Sequence, residues 1–538
     1  VRRESVGVYV ITYDVGTTGI KTCIYEITDG IKLITSDIAG YKLYIEEHGG
    51  AEQDLDEMWY AMCTTTKNVI ETSGITSDRI QGISFCSQMQ GLVLVDRNGE
   101  PVRRSMSYMD QRAHHEMKKG IAKGIKITGI NFFKLARSIR ITGAVAASVK
   151  DPVWKYNWVK QNEPDNYRRI YKWLDVKEFL ILKCTDEFVM TRDSAFGTML
   201  YDIRKGKHCF SRKMCNMLGV NMEHLPRIVN GTDQVGLLTS KAAIQLGLTE
   251  GTPVFGGGGD ASLIGIGAGS AEVGSTHIYS GTSGWVSTVV AKRRIDIKSM
   301  ITSIVGANDG TYNYFAELET AGKCLEWVKD HLALDEINIY LQKVCISDSL
   351  ETIYENLYDF MLDEIKDVPA GSHSVIFTPW LHGNRCPFED SNARGMFFNI
   401  SLETGKRDLI HAVVEGICYH LRWQLESQGR KVKTSKTIRF VGGGALAPLT
   451  CQTISDILGC KIETVESPQN VGALGAAVTV AVGLGILDNL EAASNLIKAN
   501  AIYYPNPANK VVHDRNFRVF KMLYKKNRRV FFTLNSLQ

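Results

Sequence analysis

Two short glycine turns, half a chain apart, constrain the fold of this 538-residue sequence more than any other feature. The first, Tyr13-Asp14-Val15-Gly16-Thr17-Thr18-Gly19, follows the apolar run Val8–Ile11. After it, Ile20, Thr22, Ile24 and Ile27 sit among Lys21, Cys23, Tyr25 and Glu26, a β-branched-rich stretch that alternates as a strand does. The turn therefore joins strand to strand. The second, Ser280-Gly281-Thr282-Ser283-Gly284, lies between His277-Ile278-Tyr279 and Trp285–Val290 in the same way. Walker and dinucleotide loops need a helix after the turn, and neither G-x-x-x-x-G-K-[ST] nor G-x-G-x-x-G occurs. Two such hairpins at equivalent places predict a duplicated domain with a cleft between the copies. A chain of this length has residues enough for at least two cores.

Between the hairpins, strands and helices alternate, which predicts an α/β protein. Asp54 is placed to cap a helix with Glu57 three residues on, and Leu55, Met58, Trp59 and Met62 form its apolar stripe. Ile83–Phe85 and Leu92–Val95 read as strands, Asn98-Gly99 as a turn, and Leu409–Ile417 as a helix. Val471–Leu487 runs seventeen residues without a charge, short for a bilayer and rich in Gly and Ala, so it reads as a buried helix. Lys+Arg 62 against Asp+Glu 58 is too balanced for a nucleic-acid binder. The excess is local: from Val511 on, seven basic residues face one acidic, on a terminal helix through Phe517, Phe520 and Tyr524 that reads as solvated. No nucleic-acid or membrane partner is expected. The 12 Cys form no C-x-x-C pair and the N-terminus shows no secretory stretch, so a cytoplasmic, reducing location is expected.

Asp14 ends a strand just before small residues whose amides can form an anion nest. A carboxylate beside a phosphate nest needs a cation between them, and Mg²⁺ suits that place. A turn-favouring Asp without a ligand is the plain alternative. Gly256-Gly257-Gly258-Gly259-Asp260 offers a core nothing and makes sense where backbone approaches a ligand. Asp260 then suits the carboxylate that takes a hydroxyl proton in phosphoryl transfer to an alcohol. A packing turn capped by Asp is the alternative here. His114-His115-Glu116 lacks metalloprotease spacing and reads as an exposed helix, no G-x-S-x-G elbow occurs, and Trp154, Trp158 and Trp173 read as packing residues.

These segments, in order along nearly the whole chain, resemble the FGGY carbohydrate kinases. Asp14–Lys21 resembles the first phosphate motif, Gly257–Asp260 the catalytic loop and Ser280–Gly284 the second phosphate motif. Ala51–Asp54, Ile83–Gly91, Asp110-Gln111-Arg112 and Lys155–Trp158 follow the family's N-terminal order. Asn392–Gly395 with Val414-Glu415-Gly416 resembles the second family signature. Gly442–Ala445 with Gln452 and Asp456, and Ala473–Ala477, resemble the adenosine-binding part.

The resemblance implies a two-domain actin/hexokinase-like (ribonuclease H-like) fold, each domain a mixed sheet flanked by helices, closing on a sugar. Residues 7–268 would form the sugar-side domain and 269–538 the nucleotide-side domain. It implies ATP and Mg²⁺, with Gly16, Thr17, Thr18, Lys21, Gly281 and Thr282 at the phosphates and Gly443, Gly444 and Ala445 near the nucleoside. Asp14 would organise Mg²⁺ and Asp260 would be the general base, while Gln88, Met89, Gln90 and Asp110 would join Asp260 on the sugar. The implied reaction is phosphorylation of a ketopentose, D-xylulose first. Many members are dimers. The departures lie on the sugar wall: Gln90 stands where xylulose-phosphorylating members carry His, and Ala261 where Asn often follows the base. Ribulose, a polyol or a sugar acid are therefore rival acceptors. A nucleotide-switch protein of the same superfold is the rival from another class.

Overall fold

The computed structural model describes residues 7–121, 126–127, 130–332 and 357–536. The α/β expectation holds, and the described residues gather into two compact units. The first takes the chain up to Ala271 together with Ile304–Thr311 and Asn470–Ile497. The second takes Glu272–Ser303, Tyr312–Gln469 and the chain from Lys498 on.

The duplication is visible strand by strand. In the first sheet, Ile31–Gly40, Gly19–Ile27, Val8–Val15, Ile80–Ser87 and Pro253–Phe255 neighbour one another in that order. Val8–Val15 runs antiparallel to Gly19–Ile27 and parallel to Ile80–Ser87. In the second unit, Tyr312–Leu318, Gly284–Val290, Thr276–Ser280, Thr437–Val441 and Lys461–Thr464 repeat the order. Thr276–Ser280 is likewise antiparallel to the strand after its turn and parallel to Thr437–Val441. Each glycine turn thus stands at the end of a central strand.

Local chemistry explains the flanking helices. Leu55–Ser73 begins where the Asp54 carboxylate accepts from the amides of Asp56 and Glu57 at 3.0 and 3.4 Å, a cap that contributes about 1 kcal/mol. Glu57 does not complete the expected capping box. It accepts instead from the Tyr44 hydroxyl and the Lys42 amide. Leu55, Met58, Trp59 and Met62 are buried on one face, and Gly74 ends the helix at φ 66°. His114–Ile121 is a helix with exposed histidines, but Glu116 is buried. Trp154 and Trp173 are core residues, whereas Trp158 lies half-buried with the Arg112 guanidinium 4.9 Å from its ring centre. The terminal helix, Lys510–Asn535, buries Phe517, Phe520 and Tyr524 and exposes Arg518, Lys525 and Arg528.

The 7–268 and 269–538 division cuts the chain once, whereas Asn470–Ile497 belongs to the first compact unit. Its helix, Val471–Gly483, is buried through Ala481 and packs on Val8–Val15, Ile80–Ser87 and the helix Asp260–Gly267. A helix apolar on all sides must be enclosed, and nothing in its sequence says by which sheet. No helix among the described residues is long and apolar enough to cross a membrane. The cysteines of the described residues are free thiols, mostly buried.

Candidate active site

Three neighbouring strands bring the first set of expected residues to one level. Asp14 stands opposite Lys21 across the hairpin and opposite Cys86 on Ile80–Ser87. Cys86 in turn pairs with Gly258, two residues before Asp260. Two strand spacings separate Asp14 from Gly258, roughly 10 Å. Burial drives the Cys86 thiol well above its usual range, and the charges of Asp14 and Asp260 add to the shift. Burial also raises the Asp14 carboxyl, against the opposing pull of Lys21 and a hydrogen bond with Cys86. The helix Val471–Gly483 closes on this carboxyl from its N-terminal end. A Cβ on Gly472 would lie 2.6 Å from Asp14 Oδ2. The Lys21 ammonium donates to Asn470 Oδ1 at 2.8 Å, just before that helix.

The Gly16 amide, expected in a phosphate nest, closes the turn on Gly19 O at 2.9 Å. Thr17 offers its carbonyl to Gln53 Nε2 at 2.6 Å, and Thr18 is exposed at the tip. Gln53 Oε1 then accepts from Gln88 Nε2 at 3.0 Å, which fixes the orientation of both amides and leaves Gln88 Oε1 buried without a partner.

The four glycines are crowded by the protein itself. A Cβ on Gly256 would lie 2.6 Å from Asn230 O, on Gly257 2.1 Å from Phe85 O, and on Gly259 2.2 Å from Met89 Sδ. The run is therefore glycine because it threads between strands, and Met89 lies directly over its end. Asp260 begins the helix Asp260–Gly267, is partly exposed, and accepts from the Ala261 amide at 2.7 Å.

Behind Asp260 lies a buried network that the sequence does not reveal. Lys177 Nζ donates to Glu178 and to Thr191 Oγ1 at 2.7 Å, and reaches Gly256 O at 3.4 Å. Asp193 accepts from Thr191 Oγ1 and, at 2.7 Å, from the Gly259 amide. Burial alone would push Asp193 up, but Lys177 foremost, then Thr191, Gly259 and Ser262, hold it below the usual carboxylate range. Lys177-Glu178 reads in sequence as a surface pair, so no signal could have found it.

Asp110, expected on the sugar, is fully enclosed. Its Oδ2 accepts from the Ala51 amide at 2.9 Å and from Arg112 at 2.7 Å, and Arg112 continues to Glu52. Gln90 adopts φ 66°, left-handed for a residue with a Cβ.

The second unit holds a cavity of about 350 Å³. Gly281, Thr282, Gly443 and Gly444 line it, with Gly322 and Lys323 at the start of the helix Gly322–His331 and an apolar wall including Leu421, Phe440 and Leu446. The Gly281 amide also closes its own turn, on Ser283 O at 2.9 Å, one residue tighter than the Gly16 bond to Gly19. Gly444 packs against the hairpin, since a Cβ there would lie 2.8 Å from Ser280 Oγ. Ala445 stands behind the wall, in the core. Three expected adenosine elements lie elsewhere. Asp456 takes Gln452 Nε2, the Asn506 amide and Asn509 Nδ2, tying its helix to the turn that precedes the terminal helix. Ala473–Ala477 is buried in the first unit. Lys323, which sequence reading passed over, follows Gly322 after a strand, a Gly-Lys step without Walker spacing.

Comparison with known proteins gives this arrangement a context. Residues 9–267 match the FGGY family of carbohydrate kinases, N-terminal domain, and residues 277–484 the C-terminal domain of the same family. A xylulose kinase of Bacillus subtilis is 26% identical over 518 residues, covering 96% of each chain. A gluconokinase of the same organism is 25% identical over 500 residues, covering 92% of each. The solved structure of a ligand-bound xylulose kinase from Lactobacillus acidophilus superposes with TM-score 0.83 at 24% identity, over 98% of this chain and 99% of that one.

Proposed function

The chain belongs to the FGGY family of carbohydrate kinases, and from that premise we propose that it transfers the γ-phosphoryl group of ATP to a hydroxyl of a ketopentose, D-xylulose before others. The observation that carries the reading is Asp260, partly exposed, at the end of a backbone run gripped by Asp193 and Lys177. Asp260 takes the acceptor's hydroxyl proton, the freed oxygen attacks the γ-phosphorus, and the bond to the bridging oxygen breaks to release ADP. Gln88, Met89 and Gln90 orient the acceptor. Within the second unit, the apolar wall by Gly443 and Gly444 takes the nucleoside, and Gly281 and Thr282 take its phosphates, with Lys323 as an added cation.

The donor set fits Mg²⁺. Among the described residues no three His, Cys, Asp or Glu side chains gather as a cage. Mg²⁺ is commonly held by one or two carboxylates with phosphates and waters, and Asp14 supplies one such oxygen donor. Bound there, Mg²⁺ would neutralise charge developing on the transferred group. Changing residues that merely support a metal ligand costs about 10- to 100-fold, so Asp14→Asn is expected to raise the Mg²⁺ concentration for half-maximal activity at least about tenfold. A magnesium titration of the variant checks this, and an unchanged half-point removes Asp14 from that role.

Coupled ADP release across ketopentoses, polyols and sugar acids tests the whole reading. D-xylulose is expected to give the highest kcat/KM. The gluconokinase relative at 25% identity and Gln90 on the acceptor loop support a sugar acid as the second reading, which preferential stimulation by gluconate would establish. ADP release that no acceptor stimulates overturns both.

A further inference from the structure

Lys155 is fully buried, and among the described residues no carboxylate comes within ion-pair distance of it. Its ammonium donates instead to two main-chain carbonyls, Gln90 O at 3.0 Å and Ser107 O at 2.6 Å. The next amide along, Gly91 N, donates to Asp175 Oδ1 at 3.1 Å. One peptide unit, Gln90–Gly91, is thus held at both of its polar atoms by buried ionisable groups. The grip is tight: a Cβ on Gly91 would lie 2.6 Å from Asp175 Oδ1. It holds Gln90 in a left-handed conformation that residues with a Cβ rarely adopt.

Both holders stand on helices. Lys155 lies within Pro152–Asn162, and Asp175 caps Val176–Thr185, where its Oδ1 also accepts from the Val176 amide at 2.8 Å. An ammonium taken from water without a directly paired carboxylate destabilises the fold, so its presence calls for a reason other than stability. The second carbonyl it holds is Ser107 O, three residues before the enclosed Asp110, so the same ammonium also ties the Gln90 loop to that neighbouring segment. Orientation of the acceptor side is the reason the geometry offers. Burial pulls Lys155 down to about 8 and pushes Asp175 up to about 7, each opposed by the other's charge.

We propose that Lys155 and Asp175 are positioning residues that fix the Gln90–Gly91 peptide in one orientation and thereby set the acceptor preference. This rests on the reading of Gln90 as an acceptor contact. Misplacing a positioning group by an ångström costs up to about 100-fold.

The test uses the full chain with Lys155→Met, Asp175→Ala and Asp175→Asn. It reads kcat and KM for the acceptor the wild type prefers and for its runner-up, ADP affinity, and Tm. Lys155→Met is expected to raise the preferred acceptor's KM by about 10- to 100-fold and to shrink the ratio of kcat/KM between the two acceptors, with ADP affinity unchanged. Asp175→Asn keeps an oxygen for the Gly91 amide, so it is expected to retain more discrimination than Asp175→Ala. If Lys155→Met does not fold, the Asp175 pair decides. Folded variants that keep the wild-type acceptor ratio, or that lose every acceptor by one common factor, overturn the proposal alone. A wild-type enzyme that no acceptor stimulates overturns the functional reading and this proposal with it.

Discussion

Asp260→Asn is expected to lower acceptor-stimulated kcat by about 10²- to 10⁴-fold, the usual contribution of a positioned general base. The amide keeps the shape of the carboxylate and an oxygen for the Ala261 amide, bonded at 2.7 Å in the native chain, so the helix Asp260–Gly267 still starts at the same place. What it loses is the capacity to take the acceptor's proton. ADP affinity is expected to remain at the wild-type level, because the cavity lined by Gly281, Gly443 and Lys323 belongs to the second compact unit. Steady-state kinetics with the preferred acceptor, together with an ADP titration, check both halves. A kcat within tenfold of wild type would remove Asp260 from the base role.

The second large effect is on stability. Lys177→Met removes the one ammonium of the network formed by Glu178, Thr191 and Asp193, all of them buried. Breaking a buried pair by deleting one partner costs about 3–5 kcal/mol, because the remaining charge has neither water nor counterion. Denaturant unfolding is expected to show that loss. The double variant Lys177→Met/Glu178→Gln is expected to recover part of it, since it removes one of the two stranded carboxylates. The pH dependence follows from Asp193, which burial raises but Lys177 and its hydrogen bonds hold below the ordinary carboxylate value. A carboxyl depressed on folding contributes stability that is complete above its unfolded value and is lost as pH falls through the folded one. The wild type should lose this contribution at acid pH, and the Lys177→Met variant should show a smaller acid-side loss. Equal stability of variant and wild type at neutral pH would contradict the network's role.

The two glycine turns carried most of the fold in advance. Asp14–Gly19 and Ser280–Gly284 each join antiparallel strands, and each joined pair leads its sheet in the same order. Alternation over Ile20–Ile27, the Asp54 cap and the all-apolar Val471 stretch are local patterns with local causes, and each became the element it predicted. The order of short motifs was sufficient for the family, because a motif is a fixed spacing along the chain. The roles inside the motifs were less legible. Gly256–Gly259 reads as a loop for a ligand, yet its Cβ positions are filled by Phe85, Asn230 and Met89. Gly16 and Gly281 read as open amides, yet both close their own turns.

Sequence by itself determined what depends on neighbours along the chain: strand or helix, turn or cap, and the ordered motifs that mark a sugar kinase. Only the tertiary structure decided which sheet encloses Val471–Gly483 and which charges face inward. Asp175, Lys177 and Asp193 look like ordinary surface residues in the sequence, and Lys155 is marked there only by its place in an ordered motif. Burial strips water from them, and a buried charge must find its partner wherever the fold places one. For Lys155, Asp175 and Asp193 those partners, the Gln90–Gly91 peptide and the Gly259 amide, are distant in sequence, so the pairing exists only once the chain has folded.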